Sequence, residues 1–133
     1  MLLVDTNIVV YLLIEGDYTA AAQELRRRDP DWRSEAFLLV EFTNVVAASV
    51  AAKRMNLALA QQFLVEAGSL LTGKLARIPH PAVLATAAQY HISAYDARFL
   101  TLAEQLGMPL VTEDEKLRAA APALTQSLAE ALA

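Results

Sequence analysis

The chain has 133 residues, the size of one domain, long enough to bury roughly two thirds of its unfolded surface and so to have a real core. Hydrophobic residues make up 56% of it, much of that alanine and leucine, which disfavours an all-β architecture. A net charge of −4 argues against a broad basic nucleic-acid surface, and the lack of cysteine removes disulfides, thiolate catalysis and zinc–thiolate sites together and fits a reducing cytosol.

Leu2-Leu3-Val4 is a short apolar run closed by Asp5-Thr6-Asn7, residue types that cap helices, and Ile8 to Leu13 reads as a first helix. The apolar N-terminal stretch has no basic n-region and is interrupted by Asp5 and Asn7, which speaks against a signal peptide. Tyr18 to Arg28 forms a second helical segment that ends at Asp29-Pro30. Its last turn carries Arg26, Arg27 and Arg28, where cations oppose the helix dipole; a solvated helix end explains them, with contact to RNA or a partner as the other option.

Trp32 to Ala36 is a short strand, and Leu38 to Lys53 a largely apolar helix too short and too polar, with Glu41, Thr43 and Asn44, to span a bilayer comfortably. A soluble, cytoplasmic protein is expected, with no membrane partner. Asn56 to Leu71 is a further helix on which Leu59, Phe63, Ala67, Leu70 and Leu71 fall near a 3.6-residue period, a stripe that suits a core face, a dimer contact or a partner surface. Lys74 to Pro79 is extended, and after Pro79-His80-Pro81 a helix runs from Ala82 to Tyr90. Tyr95, Phe99, Leu102, Ala103 and Leu106 form one helical stripe, followed by a turn through Gly107 and the strand Pro109 to Val111. Strands alternating with helices predict one α/β domain over residues 1–133, built on a parallel sheet covered on both faces.

In such a sheet ligands gather outside the carboxyl ends of the strands. Asp5 follows the first predicted strand, Asp114 follows the last, and Asp96 opens the helix between. Each has a plain structural explanation. Asp5 or Asn7 caps the first helix, and both Ser93-Ala94-Tyr95-Asp96 and Thr112-Glu113-Asp114-Glu115 match a capping box. Glu41 resists that explanation, because it lies among apolar side chains, where an ionised carboxylate is expensive to bury, and the next cation along the chain is Lys53. Carboxylates gathered in one place repel one another unless a divalent cation neutralises them, and oxygen ligands suit Mg²⁺ or Mn²⁺. A bound ion of that kind lowers the pKa of a water and holds a phosphodiester, which lets an acidic protein accept an acidic polymer.

Three segments around these acids resemble those of PIN-domain ribonucleases, and specifically VapC-type toxins of bacterial toxin–antitoxin pairs. "LLVDTNIVVYLL" is similar to the family's first strand with its Asp-Thr-Asn, "EFTNVV" to its glutamate-bearing helix, and "YDARFLTLAEQLGMPLVTEDEKL" to its third-acid helix and the strand leading to Thr-x-Asp-x-Lys-Leu. The resemblance runs from residue 2 to about residue 117. It implies a three-layer α/β/α domain with a short, mainly parallel sheet, and Mg²⁺-dependent endonucleolytic cleavage of RNA. Carried over by position, Asp5 and Asp96 are direct metal ligands, Glu41 and Asp114 complete the catalytic pocket directly or through water, and Asn7 and Thr112 support them. It further implies a cognate antitoxin and a homodimer.

Arg98 and Lys116 lie near these acids in sequence and are candidates for phosphate contact, the plain alternative being that Arg98 faces solvent and Lys116 pairs with a glutamate of its own helix. His80 and His91 lack a partner at ligand spacing and read as structural. Two other functions fit a parallel sheet lined with acids less well. An aspartyl-phosphate phosphohydrolase places a second Asp two residues after the first, where this chain has Asn7. A non-catalytic RNA-binding or protein-interaction module of the same fold has no need of all four acids.

Overall fold

The computed structural model describes residues 1–133. Its strands are β1 (Leu2–Val4), β2 (Trp32–Glu35), β3 (Leu75–Ala76), β4 (Leu110–Val111) and β5 (Thr125–Gln126), and its helices α1 (Thr6–Leu13), α2 (Thr19–Arg28), α3 (Leu38–Ala51), α4 (Leu57–Leu70), α5 (His80–Tyr90), α6 (Ala94–Leu106), α7 (Glu115–Ala120) and α8 (Leu128–Leu132), with one 3-10 turn at Pro122–Leu124. All strand pairs are parallel, in the order β3-β2-β1-β4-β5, so the first strand is central. Successive side chains of a strand point to opposite faces. Leu3 and Val4 are both fully buried, as are Leu110 and Val111, so helices cover the sheet on both sides.

The core gathers Trp32, Phe42 and Phe99 with leucines from both strands and helices, each such side chain contributing roughly 1.5–3 kcal/mol by its removal from water. The stripe on α4 divides. Ala67 and Leu71 beyond its end are buried and Phe63 is half-buried, so most of the stripe is core, while Leu57, Leu59 and Val65 stay exposed. No helix is long and apolar enough to cross a membrane.

Two boundaries differ from the sequence expectation. Helix α5 starts at His80 rather than Ala82, with Pro79 as its N-cap and Pro81 in the first turn, where the missing N–H leaves no bond unmade. Beyond residue 117 the chain adds β5 on the sheet edge and α8, which is opened by a reciprocal capping box between Ser127 and Glu130. At the other end of α6, Gly107 adopts φ 63°, a left-handed conformation that glycine enters freely, and turns the chain into β4.

The arginine run of α2 is held internally. Arg27 and Arg28 both reach Glu24, at 2.7 and 2.9 Å, and Arg26 lies over the Trp32 ring. These contacts leave the solvated-end explanation in place.

Candidate active site

Asp5 leaves the carboxyl end of β1 and caps α1, its Oδ1 accepting from the Thr6 backbone N–H at 2.7 Å. Asp114 follows β4 and caps α7, its Oδ1 accepting from the Leu117 N–H at 3.1 Å. Glu41 stands in the first turn of α3 and Asp96 in the first turn of α6, behind the Ser93 cap. All four acids therefore sit at helix N-terminal ends, where the partial positive charge of the helix favours a carboxylate. Capping and a place at the site are compatible, and for Asp5 and Asp114 both hold.

The four carboxylates line one cleft of about 740 Å³ together with Thr6, Asn7 and Asn44 and an apolar wall of Val10, Phe37, Val40, Val45 and Tyr95. No lysine, arginine or histidine lines it. Charges have moved accordingly. Asp5, only 7% exposed, is pushed up to about 7, chiefly by burial and against the pull of its hydrogen bonds from Thr112 and Thr6. Burial also raises Glu41, with the charges of Asp96 and Asp114 adding to it, and raises Asp96, with Asp114 adding to it.

Thr112 links the two halves of the cleft. It is fully buried, and its hydroxyl donates to Asp5 Oδ2 at 2.7 Å while accepting from the Asp114 N–H at 3.0 Å and from Asn7 Nδ2 at 3.3 Å. One donor and two acceptor positions are all a hydroxyl has. Asn7 closes the loop by accepting the Glu113 N–H on its Oδ1 at 3.3 Å. Thr112 is therefore not the helix cap of a Thr-x-x-Glu box: Asp114 holds that position, and the threonine serves the aspartates on either side of it. Of the neighbouring glutamates, Glu113 turns away to accept the Leu128 N–H at 2.7 Å, and Glu115 lines a different cleft with Arg118.

Glu41 has a partner that sequence spacing did not reveal. The Thr6 hydroxyl donates to its Oε1 at 2.6 Å, so the middle residue of Asp-Thr-Asn serves the acid of α3. Glu35 was also missed. It is 1% exposed, accepts the backbone N–H groups of Phe37 and Ile78, and faces Arg98 at 3.9 Å. Arg98 thus turns inward rather than to solvent, also meeting His80 Nδ1 at 3.1 Å, while Lys116 is exposed and makes no ion pair. His91 ends α5 in a left-handed conformation.

The donor set is all oxygen and net anionic, which suits a hard divalent cation. Nowhere, however, are three acid or imidazole side chains drawn together closely enough to form a ready cation cage. The carboxylates share a cleft rather than a coordination sphere, and those of Asp5, Glu41 and Asp114 are each held in part by a hydrogen-bond partner of their own.

A family model described as the PIN domain matches residues 2–122. The crystal structure of PAE2754 from Pyrobaculum aerophilum superposes with a TM-score of 0.76 at 22% identity, over 98% of this chain and 92% of that one, a likeness of fold. No curated protein matches the chain.

Proposed function

The chain belongs to the PIN-domain family, whose members are typically metal-dependent nucleases, and on that premise we propose that it is a Mg²⁺-dependent endoribonuclease acting in the cytoplasm as the toxin of a toxin–antitoxin pair. The observation that carries this reading is a cleft lined by four carboxylates at helix N-termini and by no cationic side chain. Such a set is stable as anions only with a cation among them. Asp5 and Asp96 are the proposed ligands, with Glu41 and Asp114 completing the site directly or through water; Mn²⁺ suits the same donors.

When bound, the ion supplies Lewis-acid polarisation of the phosphodiester and a water of lowered pKa. The chain's own part is positional. Thr112 fixes Asp5 against Asp114, Thr6 fixes Glu41, and Glu41 Oε2 and Asp114 Oδ2 stay clear of intramolecular hydrogen bonds. Either free oxygen is placed to orient the attacking water or take its proton. The toxin reading adds a cognate antitoxin that carries a basic side chain to the acidic cleft and an apolar segment to an exposed part of α4 such as that of Leu57 and Val65, and a homodimer. Co-purification with the product of the adjacent reading frame tests the antitoxin.

The second reading, a non-catalytic RNA-binding or protein-interaction module, is favoured by the missing cation cage. One experiment separates the two: purified protein is incubated with a broad panel of single-stranded and folded RNAs, in chelator and in Mg²⁺ or Mn²⁺. Cleavage that needs the metal supports the nuclease. Equal cleavage in chelator removes the metal mechanism, and binding with no cleavage of any RNA, including RNA end-sequenced from cells after brief induction, leaves the module.

A further inference from the structure

Beside the carboxylates, the cleft carries an aromatic wall that no catalytic role uses. Phe37, at the start of α3, and Tyr95, in the first turn of α6, stack with centroids 5.3 Å apart and planes 11° from parallel, and both line the cleft. Tyr95 is 62% exposed, belongs to no part of the hydrophobic core, and its hydroxyl makes no hydrogen bond. An offset aromatic pair of this kind leaves the outer ring with one face on its partner and one open. The Arg98 guanidinium lies 5.6 Å from the Phe37 ring, a cation–π distance.

A second cleft adjoins the first, sharing Phe37 and Val40 with it, and its charge is of the opposite kind. Arg77, His80 and Arg98 line it against a single acid, Glu35, which is buried and already accepts two backbone N–H groups. Arg77 is exposed and has no acidic partner. Across the surface, then, an acid cleft, a stacked aromatic pair and a basic cleft stand side by side.

We propose that the open face of Tyr95 is the stacking platform for one unpaired nucleobase of the RNA, with the neighbouring phosphate held in the basic cleft of Arg77 and Arg98. The inference rests on the reading that RNA reaches the carboxylates. Charge complementarity selects the occupant: a strand with a flat base and an anionic phosphate one step apart matches an aromatic face beside two arginines. A protein segment with a basic side chain is drawn to the carboxylates rather than to the basic cleft, and so leaves the cleft of Arg77 and Arg98 unfilled. Duplex RNA is excluded in turn, since a paired base has both faces occupied by its own neighbours.

The test is equilibrium binding of short single-stranded oligoribonucleotides carrying one 2-aminopurine, whose fluorescence falls on stacking, with Ca²⁺ neutralising the carboxylates and gels confirming intact RNA. Wild type, Tyr95→Ala, Tyr95→Phe and Arg77→Ala are compared, with thermal melts verifying that each folds. Quenching is expected for wild type and Tyr95→Phe and lost in Tyr95→Ala, which binds roughly 5- to 150-fold more weakly. Arg77→Ala weakens all sequences alike and lowers the slope of log affinity against log salt by about 0.7. Unchanged binding and quenching in Tyr95→Ala overturns the platform, as does a Tyr95→Phe loss equal to that of alanine, or duplex bound as tightly as single strands, or no binding of any single strand by wild type. Cleavage in Mg²⁺ is assayed on the same proteins. Tyr95-dependent quenching without cleavage keeps the platform and removes the nuclease, whereas cleavage with Tyr95-independent binding removes the platform alone.

Discussion

The Thr112 hydroxyl donates to Asp5 Oδ2 at 2.7 Å across 107 positions of sequence. It joins the ends of two adjacent parallel strands, β1 and β4, whose register places Val4 opposite Val111. Replacing Thr112 with valine keeps the shape, removes the hydroxyl, and leaves the Asp114 N–H and one Asp5 oxygen without their partner. The expected loss is about 1–3 kcal/mol in urea unfolding, together with loss of metal-dependent cleavage. Stability within about 0.5 kcal/mol of wild type, with cleavage intact, would show that the two aspartates hold position unaided.

Asp114→Asn separates capping from charge, because asparagine caps a helix about as well as aspartate. In chelator the variant is expected to melt no lower than wild type, and higher if relief of repulsion among the carboxylates dominates. With Mg²⁺ its stabilisation should shrink, since a ligand stabilises only as its concentration exceeds its dissociation constant. Equal Mg²⁺ shifts in both proteins would return Asp114 to the role of cap alone.

Asp5 makes the metal-free protein pH-sensitive in a defined direction. Burial raises its carboxyl from 3.8 to about 7, so the folded chain holds this proton more tightly than the unfolded chain does. Its contribution is complete below pH 3.8 and is lost as pH rises through about 7, on the order of 4 kcal/mol as an upper bound. Asp5→Asn lacks the titration. The stability of wild type relative to this variant, from urea midpoints in chelator, should therefore fall between about pH 4 and pH 8. A flat difference over that range contradicts the burial of an ionisable Asp5.

Arg98 is the one cation facing buried Glu35. Removing one partner of such a pair leaves a charge uncompensated, so Arg98→Ala is expected to destabilise clearly in the wild-type background and much less beside Glu35→Gln. The four unfolding curves of that double-mutant cycle measure the coupling. Additive losses would mean that the backbone N–H groups of Phe37 and Ile78 satisfy Glu35 by themselves.

Much of this fold was open to sequence reading because its signals are local. An apolar run, a capping residue and a 3.6-residue period mark β1 and α1, and the same sequence of signs returns at α6 and β4. Asp5, Asp96 and Asp114 were legible for the same reason, each standing where a strand ends or a helix is capped, and Glu41 because it is a lone acid among apolar neighbours. What escaped is non-local or weakly patterned. Thr6 meets Glu41 across 35 positions, a contact that no spacing rule encodes. Glu35 sits on a strand buried on both faces, where alternation gives no warning. Strand β5 has two polar residues and is defined only by its neighbour, and Pro81 was read as ending a link when it stood inside the first turn of a helix.

Within this sheet the central strand β1 comes early in the order of elements and its partner at the cleft, β4, much later. Because a chain emerges from the ribosome in order, Asp5 and Glu41 are free before Thr112 and Asp114 are, and β4 gains its outer neighbour only when Thr125 and Gln126 follow. The acidic centre is therefore incomplete until Thr112 and Asp114 have emerged. Until then the growing polypeptide has a partial cleft, in which Asp5 lacks the Thr112 hydroxyl that holds it.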